Sequence, residues 1–303
     1  MKVLVAGGTG FLGSALVSEL DRAGHEVIVL TRSAGTDSPG RARAVVWRPD
    51  GTASGHWARE LDDADAVVNL TGEPMPAKRW TPEQKKRLLD TRVRPIRSLV
   101  AAIESATARP RAFLSASGVG YYPDSPEIVD ESAAPGSGFM SELALAWEGA
   151  ALKAEAPGAR VVLLRSGVVL HPEGGAIPQL VPPFRYFIGG PLGSGRQWWA
   201  WIHRTDWVRM VMWAIATEAV RGPLNVCAPE PAQQREIAHA IGRTLHRPSF
   251  MPAPAIALRI LLGEMAGAML LASQRAVPRV ALDGGFRWDY PDLDAAVSAA
   301  VRR

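Results

Sequence analysis

Residues 1–32 read MKVLVAGGTGFLGSALVSELDRAGHEVIVLTR, and this stretch decides the fold. It opens with the apolar run Lys2 to Ala6, which the glycine-rich sequence GGTGFLG follows. Apolar residues then recur at helical spacing as far as Gly24, and a second apolar run covers Glu26 to Thr31. Short Val-rich runs are typical of strands buried on both faces of a parallel sheet. The order strand, glycine turn, helix and strand predicts a dinucleotide-binding β-α-β unit.

The three spaced glycines of this turn meet different physical needs. Gly7 permits a tight turn, Gly10 lets backbone N–H groups approach a pyrophosphate, and Gly13 lets the helix pack closely on the strand. The start of the helix offers its positive end to the phosphates. The alternative is a glycine turn with a purely structural role. The cofactor contacts predicted in this turn are Gly7, Thr9, Gly10, Phe11, Leu12 and Gly13.

The end of the second strand indicates which dinucleotide binds. An acidic residue there would bond a ribose 2′-hydroxyl and repel a 2′-phosphate, but this chain has Thr31 and Arg32. An arginine favours the phosphate, so the sequence predicts NADP(H) rather than NAD(H). The alternative is a solvated arginine in a polar loop. The later buried strand at Asp65 to Leu70 should end at the same crevice, which adds Asn69, Leu70, Thr71 and Gly72 to the predicted contacts.

Composition limits the classes of protein to consider. With 303 residues, 47% of them hydrophobic, the chain can bury a large core. Its formal net charge of +4 is scattered, so we expect no nucleic-acid partner. The single Cys227 and the lack of a Cys/His cluster predict a cytoplasmic protein without a bound metal. Residues 253–272, interrupted by Pro254, Arg259 and Glu264, indicate a buried or interface helix rather than a membrane span, and we expect no membrane partner.

Strands and helices alternate as far as the apolar run Arg160 to Leu164. This alternation predicts an α/β fold with a Rossmann-type, doubly wound parallel sheet. We expect residues 1–165 to form the NADP-binding domain, with residues 200–228 returning to it. Residues 166–303 would form a smaller substrate-side region. The tryptophans among the glycines of that region, Trp198, Trp199 and Trp201, indicate either core or a closing loop.

Several longer motifs make the chain similar to a known group of proteins. It resembles the extended short-chain dehydrogenases/reductases and, among them, the SulA-like or "39U" epimerase-family proteins of unassigned oxidoreductase activity. The motifs that carry this resemblance span nearly the whole chain and are GGTGFLG, LTR at 30–32, NLTGEP at 69–74, RW at 79–80, SASGVGYY at 115–122, RSGVVL at 165–170 and GGPLGSGRQWWAWIH at 189–203. The resemblance implies NADP binding, an epimerase-like fold and a C-terminal segment of the family's own type. It implies no known substrate.

Hydride transfer also needs a group that gives or takes the oxygen's proton. Short-chain dehydrogenases usually use a Tyr-x-x-x-Lys pair on the helix after the fifth strand, together with a serine at the end of that strand. Ser117 matches the serine, but residues 139–145 read FMSELAL, without the pair. The nearest phenols are Tyr121 and Tyr122, so we predict Ser117, Tyr121 and Tyr122 as catalytic candidates. Aromatic packing and a backbone-bonded serine are the alternatives.

Five further residues are candidates for substrate contact, each with a plainer alternative. Glu73 is a pocket carboxylate or a solvated one, and Arg79 with Trp80 forms a clamp for an anionic or planar substrate or is a surface arginine beside a core tryptophan. His203 is a base or a hydrogen-bonded core histidine. Arg165 binds substrate or anchors the end of the sheet.

We therefore predict an NADP(H)-dependent oxidoreductase that transfers hydride to or from a small carbonyl or alcohol substrate. The missing Tyr/Lys pair favours an alternative, a non-catalytic NADPH-binding regulator or assembly factor. Nucleotide-sugar epimerisation is a second alternative, although it normally relies on the same pair. Whether the chain forms a homodimer is left open.

Overall fold

The structure is a computed structural model that describes residues 1–33, 35 and 40–301. Its strands are β1 (Lys2–Ala6), β2 (Glu26–Thr31), β3 (Arg43–Val46), β4 (Ala66–Asn69), β5 (Ala112–Gly118), β6 (Ser125–Val129), β7 (Arg160–Ser166), β8 (Val168–His171), β9 (Gly174–Gly175), β10 (Trp198–Trp199), β11 (Trp201–His203), β12 (Gly222–Val226), β13 (Ala232–Gln233) and β14 (Gln274–Ala276). Its α-helices are α1 (Phe11–Arg22), α2 (Pro82–Ser105), α3 (Phe139–Ala151), α4 (Ile177–Arg185), α5 (Arg204–Ala216), α6 (Gln234–Leu245), α7 (Ala255–Leu262), α8 (Arg279–Asp283) and α9 (Leu293–Val301).

The main sheet has seven parallel strands in the order β12-β7-β5-β4-β1-β2-β3. The predicted doubly wound α/β fold is therefore confirmed. One face of the sheet packs against α1 and α5, through residues such as Leu16 and Trp207. The other face packs against α2 and α3, through residues such as Leu99 and Ala151. Because the strands are parallel, their carboxyl ends meet along one edge, where ligands bind in such folds.

Two smaller sheets lie outside the main one. The first has the strand order β13-β10-β14-β6, and the second has the order β11-β8-β9. Trp199 and Trp201 lie in these sheets and are buried, which places them in the core rather than in a closing loop. Strand β12, within the predicted returning segment, pairs with β7 in the main sheet. The proposed boundary at residue 165 stays a prediction.

Helix α5 begins at Arg204, because the Nδ1 atom of His203 accepts the N–H of Thr205 and caps the helix. Residues 253–272, expected to form a buried or interface helix, contain α7. None of the residues of α7 is buried, so the buried alternative was wrong and the interface helix stays a prediction. Within the described ranges, no helix combines the length and apolar character needed to cross a bilayer.

Candidate active site

The glycine turn between β1 and α1 has the geometry of an anion cradle. Gly7 adopts φ +83°, and a Cβ atom there would lie 2.8 Å from the carbonyl oxygen of Leu70. A Cβ atom at Gly13 would overlap the carbonyl oxygen of Gly7. Gly10 precedes the helix, and no side chain of the described residues caps its first turn. The N–H groups at the start of α1 are thus open to a bound phosphate.

The ends of β2 and β4 flank this cradle, because both strands pair with β1. At the end of β2, Thr31 is buried and Arg32 is exposed. The guanidinium of Arg32 forms no ion pair with any other described residue. At the end of β4, the buried Asn69 accepts the hydroxyl of Thr71 at 2.6 Å, so its side chain shapes the loop, and its contact with the cofactor stays a prediction.

At the end of β5, Ser117 joins a buried ion pair. Its hydroxyl donates to the Glu148 carboxylate at 2.7 Å, and Arg165 donates to both oxygens of that carboxylate at 2.8 Å. All three residues are at most 5% exposed. Since the only hydroxyl hydrogen of Ser117 is used by Glu148, the serine can offer a ligand nothing but its lone pairs.

The two candidate tyrosines both contact Arg165, but in different ways. Tyr122 is 2% exposed; its hydroxyl donates to Asn225 at 2.7 Å and accepts from Arg165 at 3.0 Å. Burial raises the pKa of Tyr122 to about 12. Tyr121 is half-buried, and its ring lies 3.4 Å from the guanidinium carbon of Arg165. Its hydroxyl bonds to no other described residue, so Tyr121 rather than Tyr122 is free to meet a ligand.

Helix α3 lacks the Tyr/Lys pair, as its sequence predicted. Near the crevice, Met140 takes up space beside Gly120, where a glycine Cβ would lie 2.8 Å from the methionine methyl group. Helix α3 thus places the apolar Met140 near the crevice, and it places the Glu148 carboxylate further along its length. The Tyr/Lys pair that short-chain dehydrogenases usually use for proton transfer is therefore absent from α3, and Met140 and Glu148 lie on this helix instead.

The first group of substrate candidates packs against α2 and the residues before it. Glu73 accepts hydrogen bonds from Gln84 at 3.2 Å and from Arg87 at 2.5 Å, and these bonds lower the pKa of Glu73. Trp80 is buried, donates to the carbonyl of Met75 and is therefore a core tryptophan. Arg79 is exposed, which agrees with the alternative of a surface arginine, and its role in a clamp stays a prediction.

His203 occupies a different place, at the start of α5. Its ring lies 4.1 Å from that of Tyr290 and 6.0 Å from that of His171, centroid to centroid. Burial, with smaller contributions from His171 and Arg204, lowers the pKa of His203 to about 4. A buried, neutral ring that caps a helix agrees better with a hydrogen-bonded core histidine than with a catalytic base.

Two charged residues at the crevice, Glu148 and Arg92, are buried and were not predicted from the sequence. Glu148 follows Ala144 by four residues on the buried face of α3, and a charge on an apolar helical face is the signal that could have identified it. Arg92 stands likewise between Leu88 and Ile96 on the buried face of α2. It donates to the carbonyl of Glu73 at 2.9 Å, and burial lowers the pKa of Arg92 to about 10.

Comparison with known families agrees with this architecture. Residues 3–227 match the model of the NAD dependent epimerase/dehydratase family. The chain belongs to this family. Residues 253–300 match a second model, Domain of unknown function (DUF1731).

Relatives within the epimerase/dehydratase family align along almost the entire chain. Epimerase family protein YfhF of Bacillus subtilis is 36% identical, covering 99% of this chain and 98% of its own. Epimerase family protein SDR39U1 of Bos taurus is 39% identical, covering 99% and 100%. These matches confirm the resemblance to 39U proteins.

Solved structures extend the likeness to three dimensions. Human epimerase family protein SDR39U1 (isoform 2), solved with NADPH, superposes with a TM-score of 0.89 at 37% identity, covering 99% of both chains. MoeE5, solved with UDP-glucuronic acid and NAD, gives a TM-score of 0.78 at 23% identity over 99% of this chain and 98% of its own. At that identity the second match shows the fold alone.

Proposed function

We propose that this chain is an NADP(H)-dependent oxidoreductase that transfers hydride to or from a small carbonyl or alcohol substrate. One observation carries the proposal: the glycine turn after β1 and the pair Ser117 and Tyr121 after β5 open on the same edge of the sheet, two strands apart. The human relative solved with NADPH supports the choice of cofactor.

The residues of the cradle fit this cofactor. The open N–H groups after Gly10 would hold the pyrophosphate, and Arg32 would pair with the 2′-phosphate. The loop that Asn69 shapes, residues 70–72, would lie along the nucleotide. When bound, the reduced nicotinamide supplies a hydride to a carbonyl carbon.

The protein's own part in the chemistry is to move one proton. Tyr121 would give its phenolic proton to the carbonyl oxygen as the carbon receives the hydride, and in the reverse direction it would take that proton back. Arg165 supplies beside Tyr121 the positive charge that the absent lysine would have supplied. Glu148 and Tyr122 hold Arg165 in place, and Ser117 would accept a hydrogen bond from a substrate hydroxyl.

One observation favours the second candidate, an NADPH-binding regulator without turnover. Helix α3 lacks the Tyr/Lys pair, and the hydroxyl hydrogen of Ser117 is already donated to Glu148. A nucleotide-sugar epimerase remains a third candidate, in keeping with the family's name. Net consumption of NADPH separates both from the first, because a regulator does not turn over and an epimerase regenerates its cofactor in each cycle.

The deciding experiment follows NADPH consumption over a panel of aldehydes, ketones and quinones. Tyr121→Phe should lower kcat by about 100-fold or more, since it removes the proton donor, and should leave NADPH affinity unchanged. Ser117→Ala should mainly raise KM for the alcohol in the reverse reaction. Tyr186→Phe, at a tyrosine that is 76% exposed, is the matched control. Activity that survives every crevice variant would defeat the assignment, whereas NADPH-dependent partner capture without turnover would favour the regulator.

The cofactor assignment has its own test. Arg32→Asp should weaken NADPH binding by roughly 1 to 3 kcal/mol, because a charged hydrogen bond is lost, and should weaken NADH binding far less. Arg97→Asp, at an exposed arginine of α2, should change neither affinity. An equal loss for both cofactors in fluorescence titrations would reject the role of Arg32.

A further inference from the structure

An unusual amount of apolar surface is exposed on one face of the C-terminal region. Backbone hydrogen bonds from Met251 to Gly189 (3.2 Å) and from Ala253 to Pro191 (2.8 Å) join the loop after α4 to the segment that leads into α7. We call the exposed side chains of these elements the apolar ridge. Its members are Tyr186 (76% exposed), Phe187 (57%), Ile188 (54%), Phe250 (74%), Met251 (47%), Ile256 (71%), Ile260 (72%) and Leu261 (73%).

Helix α7 forms the outermost part of the ridge. It reads AIALRILL and buries none of its eight residues. A helix of this length is unstable by itself in water and normally depends on packing of an apolar face. Contiguous exposed apolar surface marks an interaction site in most proteins that have it. The outer face of α7, with Ile256, Ile260 and Leu261, is therefore a candidate surface for such an interaction.

Apart from histidines, the charged side chains within the ridge's two stretches are all arginines, and Glu264, which comes shortly after α7, pairs with Lys85. The two stretches that form the ridge, residues 174–205 and 237–263, contain no Asp or Glu. Two arginines of these stretches pair elsewhere, Arg204 with Glu173 and Arg243 with Asp294. Four more are exposed and form no ion pair with other described residues; they are Arg185, Arg196, Arg247 and Arg259.

We propose that the apolar ridge docks on the surface of an anionic lipid bilayer. Protruding aliphatic and aromatic side chains enter the boundary between headgroups and acyl chains, and arginines beside them pair with lipid phosphates. A second copy of the chain fits this face poorly, because a two-fold interface sets the same patch against itself and would bring like charges together. The expectation of no membrane partner rested on the lack of a spanning segment, which has no bearing on surface attachment.

The apolar character continues inward from the ridge. A cavity of about 310 Å³ opens between α4 and α6, and Ile188 and Met251 belong to both its wall and the ridge. In the described part of the chain, no charged side chain lines this cavity. Lipid contact at this face would thus meet a recess rather than a flat wall. The inference rests on surface residues alone and does not depend on hydride transfer.

The test is flotation of the whole protein with vesicles, at low and at high salt. The protein should bind vesicles of phosphatidylcholine containing about one third phosphatidylglycerol, bind pure phosphatidylcholine much less, and dissociate as salt rises. Ile260→Ser should weaken binding by roughly tenfold, and Arg259→Gln by about fivefold. The matched controls are Ile128→Ser, at an isoleucine 59% exposed on β6, and Arg97→Gln on α2.

Unchanged NADPH binding shows that each variant is folded, so a failure here is distinguishable from a failure of the proposed function. The proposal is overturned if wild-type protein ignores anionic vesicles, or if the controls lose as much binding as the ridge variants. It is also overturned if sedimentation shows a dimer that Ile260→Ser dissociates, since a second copy would then cover the ridge. Equal binding to soluble polyglutamate, unaffected by Ile260→Ser, would point to an acidic protein partner instead.

Discussion

Glu148 and Arg165 hold opposite charges away from water, at 5% and 3% exposure. Removing two charges from water costs several kcal/mol, which their mutual attraction and their hydrogen bonds must offset. Arg165 donates hydrogen bonds to Glu148 and Tyr122, and the hydroxyl of Ser117 donates a further hydrogen bond to the Glu148 carboxylate. The residues proposed for catalysis are thus positioned by one buried network.

This network makes a stability prediction. Glu148→Ala should lower the free energy of unfolding by about 3 to 5 kcal/mol, because it leaves Arg165 buried without its counter-charge. Urea unfolding measures the difference. The control is Glu60→Ala, which breaks the ion pair with Arg43, a side chain 54% exposed, and should cost about 1 kcal/mol or less. Similar losses in the two variants would mean that the buried pair is not held as described.

The place of a single residue in the site could be predicted only where a motif fixed its position. Ser117 was located from its strand and its motif, but nothing in the local pattern tells that its hydroxyl hydrogen points to Glu148, which lies 31 residues later. Tyr121 and Tyr122 are neighbours in sequence, and only the fold of the turn after β5 separates a half-buried ring from a fully buried one. Contacts between distant segments determine such differences, and no local spacing encodes them.

Among the elements, α5 shows how a cap can be misjudged. Asp206 is a residue type that favours the helix start, yet it is fully buried and accepts the N–H groups of Asp289 and Tyr290 at 2.7 and 2.8 Å. His203 caps the helix instead, because its ring accepts the N–H of Thr205. Strands of the main sheet were easier to predict, because β1 and β2 are apolar runs whose ends match those expected.

The histidine cap predicts how stability depends on pH. Burial lowers the pKa of His203 from 6.5 to about 4, so the folded state keeps the ring neutral while the unfolded state protonates it. Stability should therefore be full above about pH 6.5 and fall as the pH drops towards 4, by on the order of 3 kcal/mol. His203→Asn, which keeps a capping acceptor, should remove this part of the pH dependence.

Urea unfolding at several pH values measures that effect. The control is His56→Asn, at an exposed histidine, which should retain the full wild-type dependence. His171, whose pKa burial also lowers, is present in both variants and cancels in the comparison. A His203→Asn profile that runs parallel to the wild-type profile from pH 7 to 4 would contradict a neutral, buried cap.

For the whole molecule, polar bonds tie the C-terminal region to the edge of the main sheet. Glu131 accepts the N–H of Asn225 in β12 at 3.0 Å and that of Val280 at 3.4 Å. Trp288 donates to the carbonyl of Cys227 at 3.0 Å. With the two bonds to Asp206, these contacts fasten residues 277–290 to β12 and α5. The two regions expected from the sequence therefore share an interior.

This shared interior predicts that the chain unfolds as one cooperative unit. Four of the ten tryptophans precede residue 166 and six follow it, so tryptophan fluorescence reports both regions, and far-ultraviolet circular dichroism reports their helices. The two urea curves should coincide. Asp206→Asn weakens the junction itself, so it should shift the single transition to lower urea without splitting it. Two separate transitions in the wild-type protein would show instead that the regions on either side of residue 165 fold independently, and the bonds to Asp206 and Glu131 would then contribute little to stability.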